Sequence, residues 1–171
     1  MSGLDVRHVL ELAVRPALEV LGPQYATVAA EQLVLGTAVK ESGLIWLRQL
    51  GTGPAIGLWQ MEPFTFRDIR DGFLSGDSKQ KLQLRRALAS LSARMRHEPD
   101  ELAWNLRLGA AYCRVRYMYS TEPLPAAWDV PALAAYWKRH YNTRLGKGKP
   151  EEFEHAWATT IAPLADKLWP K

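Results

Sequence analysis

Cysteine, histidine and long hydrophobic runs are all scarce in this chain, and each scarcity excludes a class of protein. The 171 residues include one cysteine, Cys113, which rules out an intrachain disulfide and a cysteine-rich metal site. The four histidines are scattered, and no pair has the spacing of a zinc-binding helix motif. We therefore expect neither a metal nor a cofactor. No apolar run approaches the ~20 residues that cross a bilayer, so we expect no membrane span.

The first residues also lack the pattern of a secretory signal peptide. Such a peptide has a basic start followed by a continuous apolar block. Here Asp5, His8 and Glu11 interrupt the apolar residues at helical spacing. We therefore expect a chain that is made in the cytoplasm without a signal peptide.

The overall composition is that of one soluble globular domain. Hydrophobic residues make up 47% of the chain and charged residues 23%, and 171 residues are enough to bury a sizeable core. The formal net charge of +4 favours an anionic partner. Nucleic acid and anionic cell-wall polymers both meet that description, and the charge does not choose between them.

Apolar residues recur at helical rather than strand spacing along nearly the whole chain. Together with Gly, Pro and capping residues at the breaks, this pattern predicts helices at residues 4–21, 24–40, 64–74, 79–97, 99–120, 132–141 and 151–168. We therefore predict an all-α fold, with at most one tiny hairpin near residues 51–61. A single domain would span residues 1–171, with an N-terminal helix in residues 1–22 and a C-terminal extension, residues 143–171, packed on that helix.

One carboxylate is notable because it ends the most apolar of these helices. Glu41 follows residues 33–39, which are apolar nearly all round the helix. Burial there would raise the pKa of Glu41, and the negative end of the helix dipole would act in the same direction. A carboxyl group that stays protonated near neutral pH can act as a general acid. The alternative is an ordinary solvated glutamate ahead of a helix C-cap.

The segment downstream of Glu41 favours the general acid over that alternative. Ser42 can hydrogen-bond and orient the carboxyl group. Residues 57–60, Gly-Leu-Trp-Gln, offer a close backbone approach, an aromatic wall and an amide. Together these residues predict a site for a polar ligand beside an acid.

This arrangement resembles the active-site region of the lysozyme-like lytic transglycosylases and goose-type lysozymes, which cut the glycan strands of peptidoglycan. In that family a helix ends in Glu-Ser, and a loop of the type Gly-Leu-Met-Gln follows, with Pro soon after. Glu41 and Ser42 match the first block. Residues 57–60 match the second block, with Trp59 in place of the usual Met, and Pro63 follows.

Two further blocks occur in the order that the family has. Residues 105–112 match a block with Asn, then Gly four residues on, then an aromatic residue. Residues 133–142 are similar to an Ala-rich helix that ends in Tyr-Asn. The family has glycine after Tyr-Asn, and here Thr143 takes that place, which changes the geometry expected near Tyr141. The matching blocks span residues 30–142.

The resemblance implies a lysozyme-like fold in which Glu41 serves first as general acid and then as base. It implies that Gln60 and Tyr141 contact the sugar and its acetamido group, and that Ser42 orients Glu41. The remaining substrate-binding residues that it implies are Gly57, Trp59 and Asn142.

The same resemblance implies a partner and a location. The partner would be peptidoglycan glycan strands, cut between N-acetylmuramic acid and N-acetylglucosamine without a cofactor. Because we expect no signal peptide, delivery to the cell wall or periplasm would need another route, such as a holin, a virion or a secretion machine. The loop that follows Tyr141 is also similar to loops of small bacteriophage proteins with this domain.

The type of product depends on whether a second carboxylate faces the substrate. A hydrolytic muramidase needs one, whereas in a lytic transglycosylase the muramyl 6-hydroxyl attacks and forms an anhydro ring. Glu62 adjoins the Gly-Leu-Trp-Gln loop, while Asp68 and Asp71 lie beside arginines and fit a salt-bridged surface better. We therefore prefer the transglycosylase.

Two other functions stay open at this stage. The first is a non-catalytic module that keeps a lysozyme-like fold for glycan binding or for assembly of a virion or secretion machine. The second is a basic, helical nucleic-acid-binding protein. The second rests on cations concentrated in one predicted helix, which are Lys79, Lys81, Arg85, Arg86, Arg94 and Arg96. No helix-turn-helix pattern accompanies them, and a solvated helix face explains them more simply.

Overall fold

In the computed structural model, which describes residues 3–95, 97–142 and 146–170, the regular elements are helices. Seven lie in these ranges: α1 (residues 6–21), α2 (Val28–Ser42), α3 (63–73), α4 (Lys79–Leu91), α5 (Leu106–Tyr117), α6 (130–142) and α7 (150–168). The predicted all-α class is confirmed. Near residues 51–61 the described backbone forms no strand, only isolated antiparallel bridges from Ile56 to Arg48 and to Met61.

Capping residues set where several helices begin. The side chain of Thr27 accepts a hydrogen bond from the backbone N–H of Ala30 at 3.2 Å, so α2 starts four residues later than predicted. A short 3₁₀ turn, Pro23–Tyr25, fills the gap. Asp129 caps α6 in the same way, by accepting from the N–H of Ala132 at 3.1 Å.

Pro16 changes the hydrogen bonding of α1. A proline has no N–H to give to the carbonyl four residues earlier, and its ring crowds that carbonyl. The preceding segment, Leu10–Val14, is accordingly π-helical, with Arg15 donating to the carbonyl of Leu10. The carbonyl of Leu12 instead accepts a 2.8 Å hydrogen bond from the guanidinium of Arg107 on α5.

The predicted helices 79–97 and 99–120 are both too long, and a buried carboxylate explains why. Glu101 lies in a 3₁₀ turn, Pro99–Ala103, and is fully buried. It accepts hydrogen bonds from the backbone N–H of Ala93 at 2.7 Å, the hydroxyl of Ser92 at 2.8 Å and the amide of Asn105 at 2.8 Å. These bonds hold the chain in a bend after α4. Of the basic residues predicted in that helix, Arg96 lies outside the described residues.

Helix α2 runs through the centre of the core. All its residues from 32 to 39 are buried, which agrees with the apolar pattern that predicted a central helix. Gly36 on α2 lies against the ring of Phe153 on α7, which lets the two helices approach closely. One continuous hydrophobic cluster joins residues from all seven helices of the described chain. Cys113 is buried within this cluster.

The C-terminal helix α7 packs mainly on α2 and α6. Its end also reaches α1, where the guanidinium of Arg15 donates to the carbonyl of Leu168 at 2.5 Å. Residues 143–145, where the predicted C-terminal extension begins, lie outside the described residues. Within the described ranges, no helix has both the length and the apolar character that crossing a bilayer requires.

The role of Glu101 predicts a stability difference between adjacent acids. Replacing Glu101 with Ala removes a buried acceptor of three hydrogen bonds and leaves the backbone N–H of Ala93 without its partner, so we expect a loss of about 2–3 kcal/mol in the free energy of unfolding. Asp100 forms a surface ion pair with Arg94, at 3.0 Å, and Asp100→Ala should cost less than about 1 kcal/mol. Urea unfolding of wild type and both variants measures the two losses in the free energy of unfolding. Equal losses would contradict the assigned role of Glu101.

Candidate active site

The C-terminal end of α2 opens onto a cleft with a volume of about 720 Å³. A cleft of this size can hold a ligand of several rings. Its walls come from the loop after α2, the start of α3, the end of α5 and the end of α6 with the loop that follows. The lining residues are Glu41, Trp46, Gln49, Leu50, Ala55, Gln60, Met61, Glu62, Thr65, Arg116, Tyr141, Asn142, Gly146 and Lys147.

Glu41 lies in the last turn of α2 with its carboxyl group in the cleft wall. Its Oε1 accepts a 2.9 Å hydrogen bond from the indole N–H of Trp137 on α6. Burial raises the pKa of Glu41, because the charged form loses hydration, and the negative charge of Glu152 adds to this. The positive charge of Lys40 and the bond from Trp137 lower the pKa of Glu41, but burial outweighs them.

A charge pair adjoins this carboxyl group on the side of α7. Lys40 and Glu152 form a salt bridge with an N–O distance of 3.1 Å. The ammonium of Lys40 also lies 5.3 Å from the centre of the Trp137 ring, within the range of a cation–π contact. The charges on α2 and α7 thus act on Glu41 in opposite directions from neighbouring positions.

Gln60 and Tyr141, predicted from the sequence, both line the cleft with Glu41. The side-chain amide of Gln60 donates to the carbonyls of Gly57 at 2.8 Å and Trp46 at 3.2 Å. The backbone of Gln60 has a φ of 44°, so these bonds hold an unusual turn conformation. The hydroxyl of Tyr141 donates to the carbonyl of Trp59 at 2.7 Å. Both side chains therefore brace the loop as well as facing the cleft.

Asn142 also lines the cleft, and its side chain is tied to the loop beyond it. Its Oδ1 accepts a 2.8 Å hydrogen bond from the ammonium of Lys138, which also donates to the carbonyl of Gly146 at 2.7 Å. Thr143, which takes the place of the family glycine, lies outside the described residues.

Three predicted site residues do not line the cleft. Ser42 was expected to orient Glu41, but its hydroxyl donates to the carbonyl of Ala38 at 3.0 Å and accepts from the N–H of Leu44 at 3.2 Å. The Ser42 side chain therefore stabilises the end of α2, and Trp137 rather than Ser42 hydrogen-bonds the carboxyl group of Glu41. Gly57, with a φ of 77°, is buried where a side chain would collide with the carbonyl of Leu102.

Trp59 is the third residue, and it belongs to the core rather than to the predicted aromatic wall. It is 1% exposed, and its indole N–H donates to the carbonyl of Val34 at 2.9 Å. Its ring packs against Gly109 on α5. The tryptophan that lines the described cleft is Trp46, which is 36% exposed and which the sequence did not single out.

Of the possible second carboxylates, only Glu62 lines the cleft, and it is exposed. Asp68 accepts a 2.7 Å hydrogen bond from the hydroxyl of Tyr119. Asp71 forms a salt bridge with Arg70 at 2.6 Å. These two acids belong to the polar surface of α3, as the sequence indicated.

No family model, curated protein or solved structure matches this chain. The chemistry of the cleft therefore has to be derived from its own residues. The lysozyme-like arrangement expected from the motif residues stays a prediction.

The raised pKa of Glu41 predicts that this residue destabilises the fold near neutral pH. The neutral form is favoured on folding, so its contribution is present below about pH 4 and is lost as the pH rises through the raised pKa. Glu41→Gln stays neutral and keeps an acceptor for Trp137. Its melting temperature should lie a few degrees above that of wild type at pH 7, at about 2–4 °C per kcal/mol for a chain of this size. At pH 3 the two melting temperatures should be the same. Glu62→Gln is the exposed control. A lower melting temperature for Glu41→Gln at pH 7 would contradict the burial effect.

The charge pair beside Glu41 predicts shifts of opposite sign. Lys40→Met removes a positive charge that lowers the pKa of Glu41, so that pKa should rise. Glu152→Gln removes a negative charge that raises it, so the pKa should fall. Titration of the Glu41 side-chain carboxyl carbon by NMR measures both. Shifts in the same direction would show that the pair affects Glu41 through packing rather than charge.

Proposed function

We propose that the chain cuts peptidoglycan glycan strands between N-acetylmuramic acid and N-acetylglucosamine, with Glu41 as general acid and then general base. The observation that carries the proposal is a carboxyl group whose burial raises its pKa at the wall of a 720 Å³ cleft. An apolar helix supports it, and an indole N–H fixes one of its oxygens. Delivery to the cell wall or periplasm would use a holin, a virion or a secretion machine.

The first chemical step needs a proton on the departing sugar oxygen, because an alkoxide leaves poorly. The hydrogen bond from Trp137 occupies Oε1 of Glu41, and Oε2 accepts no hydrogen bond from the described residues, so it can carry the transferable proton. Protonation of the glycosidic oxygen breaks its bond to C1 of the muramyl residue. Glu41 is then a carboxylate, suited to act as a base.

The second step favours intramolecular transfer over hydrolysis. The muramyl 6-hydroxyl attacks C1, its proton passes to the Glu41 carboxylate, and a 1,6-anhydro ring forms while the acid is regenerated. This route needs no second carboxylate. Glu62 is the only other acid lining the described cleft, and it is exposed rather than buried against the substrate space. We therefore prefer the lytic transglycosylase over the hydrolytic muramidase.

The cleft walls suit a saccharide in other respects. Trp46 presents a partly exposed aromatic face, and such faces stack on sugar rings. The amide nitrogen of Gln60 is held by two backbone carbonyls, while its side-chain oxygen accepts no hydrogen bond in the described structure. That oxygen is suited to accept from a sugar hydroxyl or acetamido N–H.

The basic helix α4 gives little support to nucleic-acid binding. Arg85 donates to the carbonyls of Leu74 at 2.5 Å and Gly76 at 2.7 Å. Lys81 donates to the carbonyl of Ser75 at 3.0 Å. Lys81 and Arg85 thus close the loop between α3 and α4 instead of contributing to a free basic surface.

Digestion of purified sacculi tests the proposed reaction. Wild-type protein should release muropeptides with 1,6-anhydro-muramyl ends, identified by mass spectrometry. Glu41→Gln should reduce the rate by about 100-fold or more, because the proton donor is lost. The matched control is Glu11→Gln, an exposed position on α1, which should leave the rate unchanged.

Other outcomes separate the alternatives. Reducing ends, with a large loss in Glu62→Gln, would mean a hydrolase with Glu62 as second carboxylate. Equal rates for wild type and Glu41→Gln would exclude Glu41 as the acid. Binding to sacculi without any product would mean a non-catalytic glycan-binding module.

A further inference from the structure

Arg116 is a half-buried cation on the cleft wall that has no ion-pair partner among the described residues. It lies in the last turn of α5 and lines the cleft together with Glu41. In the described structure its guanidinium forms no ion pair and donates no hydrogen bond. By contrast, Arg70 and Arg107 each donate to a carbonyl or carboxylate of the fold. A partly desolvated guanidinium without an acceptor is costly unless a ligand supplies one.

The position of this guanidinium is fixed rather than free. Its central carbon lies 4.9 Å from the centre of the Tyr119 ring, a cation–π contact. Tyr119 is held in turn by stacking on Phe73, with ring centres 4.4 Å apart, and by the 2.7 Å hydrogen bond to Asp68. Arg116 is therefore oriented before any ligand arrives, and its planar fork matches a carboxylate.

The charges around the cleft define where an anion would bind. Lys147 is an exposed cation on the same cleft. The acids that line it are Glu41, whose burial favours the neutral form, and Glu62, which is exposed and forms no ion pair with Arg116 in the described structure. An anionic group near Arg116 thus meets a fixed cation on this part of the wall.

We infer that Arg116 binds a carboxylate carried by the glycan and so selects muramyl-containing strands over neutral aminosugar polymers. The inference rests on the proposed function for its choice of ligand. Two sources supply the same carboxylate chemistry. One is the free lactyl carboxylate of a muramyl residue without its stem peptide, and the other is a carboxylate of the stem peptide itself.

Binding in the Glu41→Gln background tests this inference without turnover. Three probes are titrated by calorimetry: chitotetraose, the peptide-free N-acetylglucosamine–N-acetylmuramic acid tetrasaccharide, and the same tetrasaccharide with its stem peptides. At least one carboxylate-bearing probe should bind about tenfold or more tightly than chitotetraose, and Arg116→Gln should remove that advantage. Arg116→Lys should keep part of it. Arg94→Gln, a surface arginine paired with Asp100, is the matched control.

The pattern across the probes identifies the source of the carboxylate. A preference for the peptide-free tetrasaccharide means the lactyl group, and a preference confined to the peptide-bearing probe means the stem. Equal binding of all three probes, or no binding of any, overturns the inference. The inference is also overturned if Arg116→Gln weakens the binding of chitotetraose as much as it weakens the binding of the carboxylate-bearing probes. If that variant does not fold, Arg116→Lys replaces it, and a preference equal to that of the Glu41→Gln protein overturns the inference.

The experiments distinguish a failure of the Arg116 binding site from a failure of the proposed reaction. Sacculus digestion without any preference for anionic probes would retain the reaction and reject the role of Arg116. An Arg116-dependent preference without digestion would retain the binding site and reject the catalysis.

Discussion

The hydrogen bond between the indole of Trp137 and the carboxyl of Glu41 joins α2 to α6 across 96 residues of sequence. It holds the last turn of α2 against α6, and residues from the ends of both helices line the cleft. Helix α7 stabilises the arrangement from behind, because Phe153 packs on the Trp137 ring with centres 5.9 Å apart. The same phenylalanine ring lies against Gly36 of α2. The C-terminal helix thus positions the acid through Trp137 and Gly36.

This arrangement resolves two opposing requirements. The proposed reaction requires the carboxyl group to lose enough hydration to favour its protonated form and yet to remain open to a ligand. Its apolar helix and Trp137 cover one side, while the cleft exposes the other. The salt bridge between Lys40 and Glu152 places both signs of charge nearby, so that neither sign alone determines the protonation of Glu41.

Sequence patterns predicted the helices well and the contacts between them less well. The burial of Glu41 at a helix end was predictable because one continuous apolar segment precedes it, and local periodicity encodes that position. Trp137 was missed as its partner, although its position four residues before Tyr141 places both on one face of α6. Arg116 carried no distinguishing local signal, since its importance depends on the surrounding cleft. Trp59 was misassigned because its glycine-rich loop turns inwards, which adjacent residues do not reveal.

The predicted helix boundaries were wrong where side chains compete with the backbone for hydrogen bonds. The helix predicted for residues 99–120 breaks because Glu101 accepts donors from the bend and Asn105 caps α5 through the N–H of Leu108, at 3.1 Å. Asn105, Gly109 and Tyr112, which match a family block, serve packing in this fold: Gly109 meets Trp59, and Tyr112 stacks on Phe66. Such roles become visible only when distant segments meet.

The indole that touches Glu41 gives the molecule a built-in optical reporter. Fluorescence of an indole responds to the ionisation of a group bonded to its N–H, so emission from Trp137 should change as the carboxyl group gains or loses its proton. Trp46 lies on the cleft wall and is open to quenching by an occupant. Trp59 is buried in the core and does not line the cleft, so it provides a steadier background. Light emission can therefore follow both protonation and occupancy without any attached dye.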